Sequence, residues 1–273
     1  MYLKSFDDVM LHTVINEAQH PMGVIVINHG FSEHLGRYDH LASYLCEHGY
    51  HVIRYDLRGH GKTVSARGYI SSYKEFVGDC DVIVNYAKNT YPSLPLIILG
   101  HSMGGFVSVN YALEHPEKVK GLILSGPALY DLPKSKGIYS LALNIMGRLL
   151  PKFTIPNPIG DEICSVKEVV ESNREDNLVL KRVSAGMLYQ FLKVGSKNIK
   201  AKQQEFGHPV LILHGEDDTI VPEVISDKFF KSIPATDKTR IVYPKLYHEI
   251  FNERCHEEIF ETIVSWLNER ESK

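Results

Sequence analysis

Cysteine is scarce and scattered: Cys46, Cys80, Cys164 and Cys255 stand too far apart in sequence for a zinc-ligand pair or a CxxC redox motif, so buried free thiols in a reducing compartment are expected. No run of 18 apolar residues exists, which removes the expectation of a membrane-spanning helix. The opening MYLKSFDDVMLH lacks the basic-then-apolar stretch and the small-residue cleavage site of a signal peptide, and predicts a cytoplasmic protein. Charge of one sign is also missing. Thirty basic residues face thirty-three acidic ones, a net of −3 with no polybasic block, so nucleic acid is not an expected partner. No group of His, Asp and Glu has metal-ligand spacing, and Asp56-Leu57-Arg58-Gly59-His60-Gly61 lacks the lysine-serine pair of a phosphate loop. The sequence therefore predicts no metal and no cofactor, and that loop reads as a structural brace.

What is present is a rhythm of short apolar runs. GVIVIN at 23 to 28, HVIRYD at 51 to 56, LPLIILG at 94 to 100, KGLILSG at 120 to 126, PVLILHG at 209 to 215 and TRIVYP at 239 to 244 show no polar alternation, as befits parallel strands buried on both faces. Helical patterns separate them: YDHLASYLCEHG, the stretch from Ser71 to Asn89, FVSVNYALEHP, the residues after Pro222, and a closing helix ending IVSWLNER. Alternating strand and helix implies right-handed crossovers, an α/β class fold with helices on both faces of a mostly parallel sheet, and ligands at the carboxyl ends of the strands. VMLHTVIN near the start predicts an antiparallel edge strand.

The rhythm breaks between residues 127 and 206, which offer helical pieces and the Pro-rich LLPKFTIPNPIG but no convincing strand. A gap this long is not a bare loop in a compact domain, so an inserted cap over the site is expected, with residues 1–126 and 207–273 forming the core. From Ile138 to Leu150 only Ser140, Asn144, Gly147 and Arg148 interrupt the apolar residues, and they fall on one narrow helical strip. The remaining apolar surface is wider than core packing needs and suggests contact with acyl chains or a membrane surface; thirteen residues do not span a bilayer.

The chemistry is concentrated where the run LIILG enters Gly100-His101-Ser102-Met103-Gly104, followed directly by a helix. This is G-x-S-x-G in its strand-to-helix context, a turn that lifts the Ser102 hydroxyl into the open and sets the Met103 N–H and the positive helix end beside it. A serine nucleophile needs a base within reach and an acid that fixes the base's tautomer, in the chain order Ser, Asp, His. His248 is the one histidine on the loop after the last strand. Asp217 and Asp218 both follow PVLILHG, and spacing alone leaves either open, with Asp218 preferred. His29-Gly30-Phe31 follows GVIVIN and supplies a second oxyanion donor through the Phe31 backbone, while His101 and His214 read as braces at the sheet ends.

HGFSEHLGRYDHLA, DLRGHGKT, GHSMGG, LILHGEDDTIVP and YHEIFNE together resemble the monoacylglycerol lipase and lysophospholipase group of the α/β-hydrolases over nearly the whole chain. SLALNIMGRLLPKFTIPNPIGD is similar to the lid of those lipases. The resemblance implies Ser102, Asp218 and His248 as the triad, places the acid at Asp218 rather than Asp217, makes Phe31 and Met103 the oxyanion donors, and points to an ester of a single fatty acyl chain as substrate. Phe31-Ser32 departs from the smaller residues of better-known members, which bears on pocket width. Two other readings carry their own expectations: an aminopeptidase releasing N-terminal proline, or a general short-chain esterase, would keep the triad and change the bond or chain, and a non-catalytic binding protein would keep the fold without turnover.

Overall fold

The computed structural model describes residues 1–130 and 137–271. Its strands are β1 (Tyr2–Lys4), β2 (Met10–Asn16), β3 (Gly23–Asn28), β4 (Tyr50–Tyr55), β5 (Leu96–His101), β6 (Gly121–Ser125), β7 (Thr154–Pro156), β8 (Arg182–Ser184), β9 (Val210–Gly215) and β10 (Lys238–Tyr243). Eight of them make one sheet in the order β1-β2-β4-β3-β5-β6-β9-β10. The pairs β1/β2 and β2/β4 are antiparallel and all others in that sheet are parallel. The expected antiparallel strand near the start is therefore present as β2, but it is not the edge. The short β1 pairs outside it, and three residues are too few to show a period in sequence.

Both faces of the central strands are buried, which explains their unbroken apolar runs. Val24, Val26, Ile98 and Leu122 point to one side, where Phe76 and Ile83 of α2 (Tyr73–Thr90) and Phe106 and Val109 of α3 (Met103–Glu114) meet them. Ile25, Ile27, Leu99 and Leu213 point to the other, against Leu41 and Leu45 of α1 (Asp39–Glu47) and Phe260 and Ile263 of the closing helix (His256–Glu271). The α2 start is set by Ser72, whose side chain accepts from the Lys74 N–H and satisfies an otherwise unpaired donor of the first turn.

Between β6 and β9 lie α4 (Ile138–Leu149), α5 (Lys167–Glu175), α6 (Ala185–Tyr189) and α7 (Ser196–Lys202), followed after β9 by α8 (Val224–Ser232), with the closing helix as α9. Residues 131–136 of the expected cap lie outside the described residues. The insert also contains a small antiparallel pair, β7 with β8, where the sequence showed no strand; each is three residues long, again too short to be read. Gln190–Gly195 winds more widely and joins α6 to α7, and Phe191, Ile199 and Phe206 enter the same buried cluster as the sheet.

The orientation of α4 inverts a simple amphipathic reading. Ser140, Asn144 and Gly147 of its narrow strip are the better-covered residues, although Arg148 of the same strip is exposed, and Ile138, Tyr139, Leu141, Ile145 and Leu149 are exposed as well. Gly147 sits where a Cβ would come within 2.3 Å of the Tyr189 side chain, so the lack of a side chain is what lets α4 lie on α6. Replacing Gly147 with Leu forces the helices apart. The expected cost is about 1–3 kcal/mol, typical of overpacking, seen as faster amide hydrogen exchange along α4; unchanged exchange would refute the packing account.

Candidate active site

Ser102 stands at the turn between β5 and α3 with φ 52° and ψ −115°, a strained conformation for a residue with a Cβ. The surrounding backbone holds it there. Its N–H donates to Ser125 O at 2.9 Å, and its carbonyl accepts from Phe106 N at 3.2 Å and Ala128 N at 3.1 Å. Gly104 lets α3 press against β3: a Cβ there would lie 1.9 Å from Asn28 O. Gly100 and His101 close β5, and the His101 ring bonds the end of β6 through Ser125 O at 3.1 Å and Ser125 Oγ at 3.2 Å. The same ring lies 4.6 Å from that of His248, so it also walls the site.

Asp218 and His248 leave the ends of adjacent parallel strands, β9 and β10, whose register sets Tyr243 against Gly215. His248 Nδ1 bonds Asp218 Oδ2 at 2.6 Å. The other carboxylate oxygen accepts the N–H groups of Ile220 and Val221 at 2.9 and 2.8 Å. His214 completes the shell, its Nε2 lying 2.7 Å from Val221 O and 3.2 Å from Asp218 Oδ2. Asp217, the alternative acid, is exposed and is not the carboxylate that meets His248. Burial alone would raise the Asp218 pKa, but the charge of His248 and the hydrogen bonds from His214 and His248 pull it below the ordinary carboxylate value.

Ser102 and His248 line one small cavity, of about 20 Å³, together with Gly30, Phe31, Ser32 and Glu249. That is room for about one water molecule. His248 Nε2 is buried with no hydrogen-bond partner among the described residues, and no hydrogen bond to Ser102 Oγ is formed in this arrangement. Ile159 lines both this cavity and a neighbouring chamber of about 330 Å³ that is also lined by Leu143, Met146, Leu188, Leu192 and Glu162.

The loop after β3 is fixed from several sides. His29 Nδ1 donates to Gly30 O at 2.8 Å while its Nε2 accepts from Leu57 N at 2.9 Å, a neutral tautomer consistent with a pKa that burial pushes down to about 3. The Gly30 N–H donates to the Glu33 carboxylate. Phe31 is buried, and its ring stacks on Phe191 at 6.2 Å. Its N–H has no partner among the described residues, and Met103 opens α3, where backbone N–H groups also lack intrahelical partners.

Four residues that the sequence reading did not single out, Glu33, Arg37, Tyr38 and Glu249, complete the electrostatics. Arg37 bridges Glu33 and Glu249, binding the first through Nε at 3.2 Å and the second through its terminal nitrogen. Tyr38 OH also donates to Glu33, at 2.6 Å. Glu33 is held above the usual carboxylate range first by burial and then by the charge of Glu249, against the pull of Arg37. For His248 burial favours the neutral ring, yet the charge and hydrogen bond of Asp218, then the charges of Glu249 and Glu33, leave its pKa above the ordinary imidazole value. HGFSEHLGRY and YHEIFNE contain these residues, but only folding makes them neighbours.

A mostly parallel eight-stranded sheet with a strained serine between its central strand and a buried helix defines an α/β-hydrolase. The model of the family described as serine aminopeptidase, S33, matches residues 19–255, and the chain belongs to that family. It is 32% identical over 90% of its length to the monoacylglycerol lipase of Mycolicibacterium smegmatis, covering 88% of that protein. It is likewise 32% identical over 93% of its length to phospholipase YtpA of Bacillus subtilis, covering 98% of it. Among solved structures, the monoacylglycerol lipase of Paleococcus ferrophilus superposes with a TM-score of 0.85 at 30% identity, covering 94% of this chain and 98% of that one. The protein is an ester hydrolase.

A histidine accepts a proton only when neutral, so the raised His248 pKa moves upward the pH at which its ring is able to do so. The kcat/KM of the protein should rise with a midpoint above the ordinary 6.5 or so of imidazole. Glu249→Gln removes one of the charges that stabilise the imidazolium and should move that midpoint to lower pH, whereas a midpoint that stays put refutes the electrostatic account.

Proposed function

We propose that Ser102 is the nucleophile, His248 the general base and Asp218 the residue that orients it, with the N–H groups of Phe31 and Met103 as the oxyanion hole. The observation that carries this reading is the buried, unpartnered His248 Nε2 beside the Ser102 cavity. Ser102 Oγ attacks the ester carbonyl carbon as its proton passes to His248 Nε2, and the carbonyl oxygen gathers negative charge between the two amides. Collapse expels the alcohol, which takes the proton from Nε2. Water then attacks the acyl-Ser102 carbonyl, again with His248 as base, and releases the fatty acid and the free serine.

The substrate we infer is an ester of a single acyl chain, of the monoacylglycerol or lysophospholipid type. The chamber beyond Ile159 supports it: 330 Å³ lined mostly by apolar side chains, with Glu162 the one carboxylate among them, suits a hydrocarbon better than a charged amine, which disfavours the aminopeptidase alternative. The named activities of the relatives point the same way. In this reading residues 127–206 form the cap, 1–126 and 207–273 the hydrolase core, and no metal or cofactor takes part.

The exposed apolar face of α4, extended by Leu150 and Phe153, supports transient seating on a membrane surface by an otherwise cytoplasmic protein. No helix among the described residues is long and apolar enough to cross a bilayer.

A fluorophosphonate probe should label the protein and fail to label Ser102→Ala, while Asp218→Asn should lower kcat by about 10⁴, as loss of the correct tautomer does in such triads. Monoacylglycerols should be cleaved faster than prolyl anilides. Equal labelling of native and Ser102→Ala protein overturns the nucleophile assignment, and faster anilide turnover overturns the substrate class.

A further inference from the structure

Ser32 directly follows Phe31 and has φ 66°, in the left-handed region that favours glycine. A serine retained there needs the surroundings to hold it. Two contacts do so, and both come from the segment between β6 and β9. The Leu180 N–H donates to Ser32 O at 2.8 Å, and Asn157 Nδ2 donates to Ser32 Oγ at 2.9 Å. Asn157 is itself tightly placed: Nδ2 also reaches Leu180 O at 3.0 Å, its Oδ1 accepts from Ile159 N at 3.0 Å, and its N–H donates to Lys181 O at 3.0 Å. Asn157, Ser32, Phe31 and Ser102 line the same cavity.

On the other side of Phe31, Gly30 is gripped at both its carbonyl, by His29, and its N–H, by Glu33. The Phe31 N–H is thus the free donor between two clamped residues. The first clamp belongs to the core and the second is supplied from outside it.

We propose that Asn157 is a positioning residue: by holding Ser32 in its left-handed conformation it aims the Phe31 amide at the oxygen that becomes negative on acylation of Ser102. This rests on the reading of Phe31 as an oxyanion donor. A donor that is misaimed loses value mainly in the transition state, so the loss belongs to kcat rather than KM.

The test uses p-nitrophenyl butyrate, a soluble ester, with the full-length protein. Asn157→Ala should lower kcat about tenfold with KM changed less than twofold. Adding Ser32→Gly, which adopts the left-handed region without a clamp, should recover at least fivefold of that loss. A merely structural role for Asn157 would not be rescued this way. Should Asn157→Ala not fold, Ser32 alone decides: Ser32→Ala, which needs the same conformation but has lost the hydroxyl, should be several-fold slower than Ser32→Gly. Absence of rescue, or equal kcat for the two Ser32 variants, overturns the positioning role. Fluorophosphonate labelling separates this from the catalytic assignment: if Ser102→Ala is still labelled, the nucleophile reading has failed, whereas loss of labelling there without rescue by Ser32→Gly sinks only the role of Asn157.

Discussion

A carboxylate almost sealed from water stays charged only if every lone pair is met, and the site is organised around meeting those of Asp218. Two backbone N–H groups take one oxygen, and His248 and His214 take the other. These partners can converge because β9 and β10 are parallel and in register, so their carboxyl-terminal loops emerge side by side. Ser102 arrives from β5, two strands away, and the intervening β6 ends in Ser125 and Gly126. Gly126 N bonds Leu213 O, and a Cβ on this left-handed glycine would come within 3.1 Å of His248 Nδ1. The sheet register thus sets the distance between serine and imidazole to within the size of the cavity they share.

Around that pair lies a second level of charge. Glu33 and Glu249 place two carboxyl groups near one guanidinium, and both add to the charge of Asp218 in favouring the protonated His248 ring. The same carboxylate of Glu33 anchors Gly30, so one side chain serves both the charge at the histidine and the shape of the loop after β3. Arg37 links that loop to the one bearing His248 through its two carboxylate partners, which makes the two loops mechanically one unit.

The sheet was legible because its signal is local and repeated: six apolar runs, each long enough to stand out, with helices between them; five are buried throughout, whereas TRIVYP, expected to be buried on both faces, forms the half-buried edge strand β10. Boundaries differ by a residue or two, as with HVIRYD at 51 to 56 against the strand Tyr50–Tyr55. Ser102 and His248 could be proposed from the sequence because each follows a recognisable strand in a fixed chain order, whereas that order left Asp217 and Asp218 both open and only the family resemblance placed the acid at Asp218. What stayed hidden depends on contacts across long separations. Asn157 meets Ser32 across 125 residues and Arg37 meets Glu249 across 212, and no periodicity announces such pairs. The orientation of α4 was hidden for a different reason. Pattern reading assumes that polar residues face water, as Arg148 of the strip does, but Ser140, Asn144 and Gly147 have short side chains or none, and that is what a close helix contact requires.

That inversion bears on how an acyl chain reaches a serine in a cavity the size of one water molecule. The segment between β6 and β9 is attached to the loops around the site by polar contacts: Asn157 and Leu180 to Ser32, Asp176 to His34, and Ser165 to Glu253, while Ile163 O accepts from Glu249 N. Moving that segment breaks these hydrogen bonds together and disturbs both the loop after β3 and the loop of His248. By contrast, α4 rests on α6 through a glycine face and presents apolar side chains outward, where an acyl chain or lipid surface compensates what is uncovered. The contacts of α4 are thus separate from the hydrogen bonds that tie the rest of the segment to the loops around Ser102 and His248, and Ile159 lies where the apolar chamber meets the small cavity.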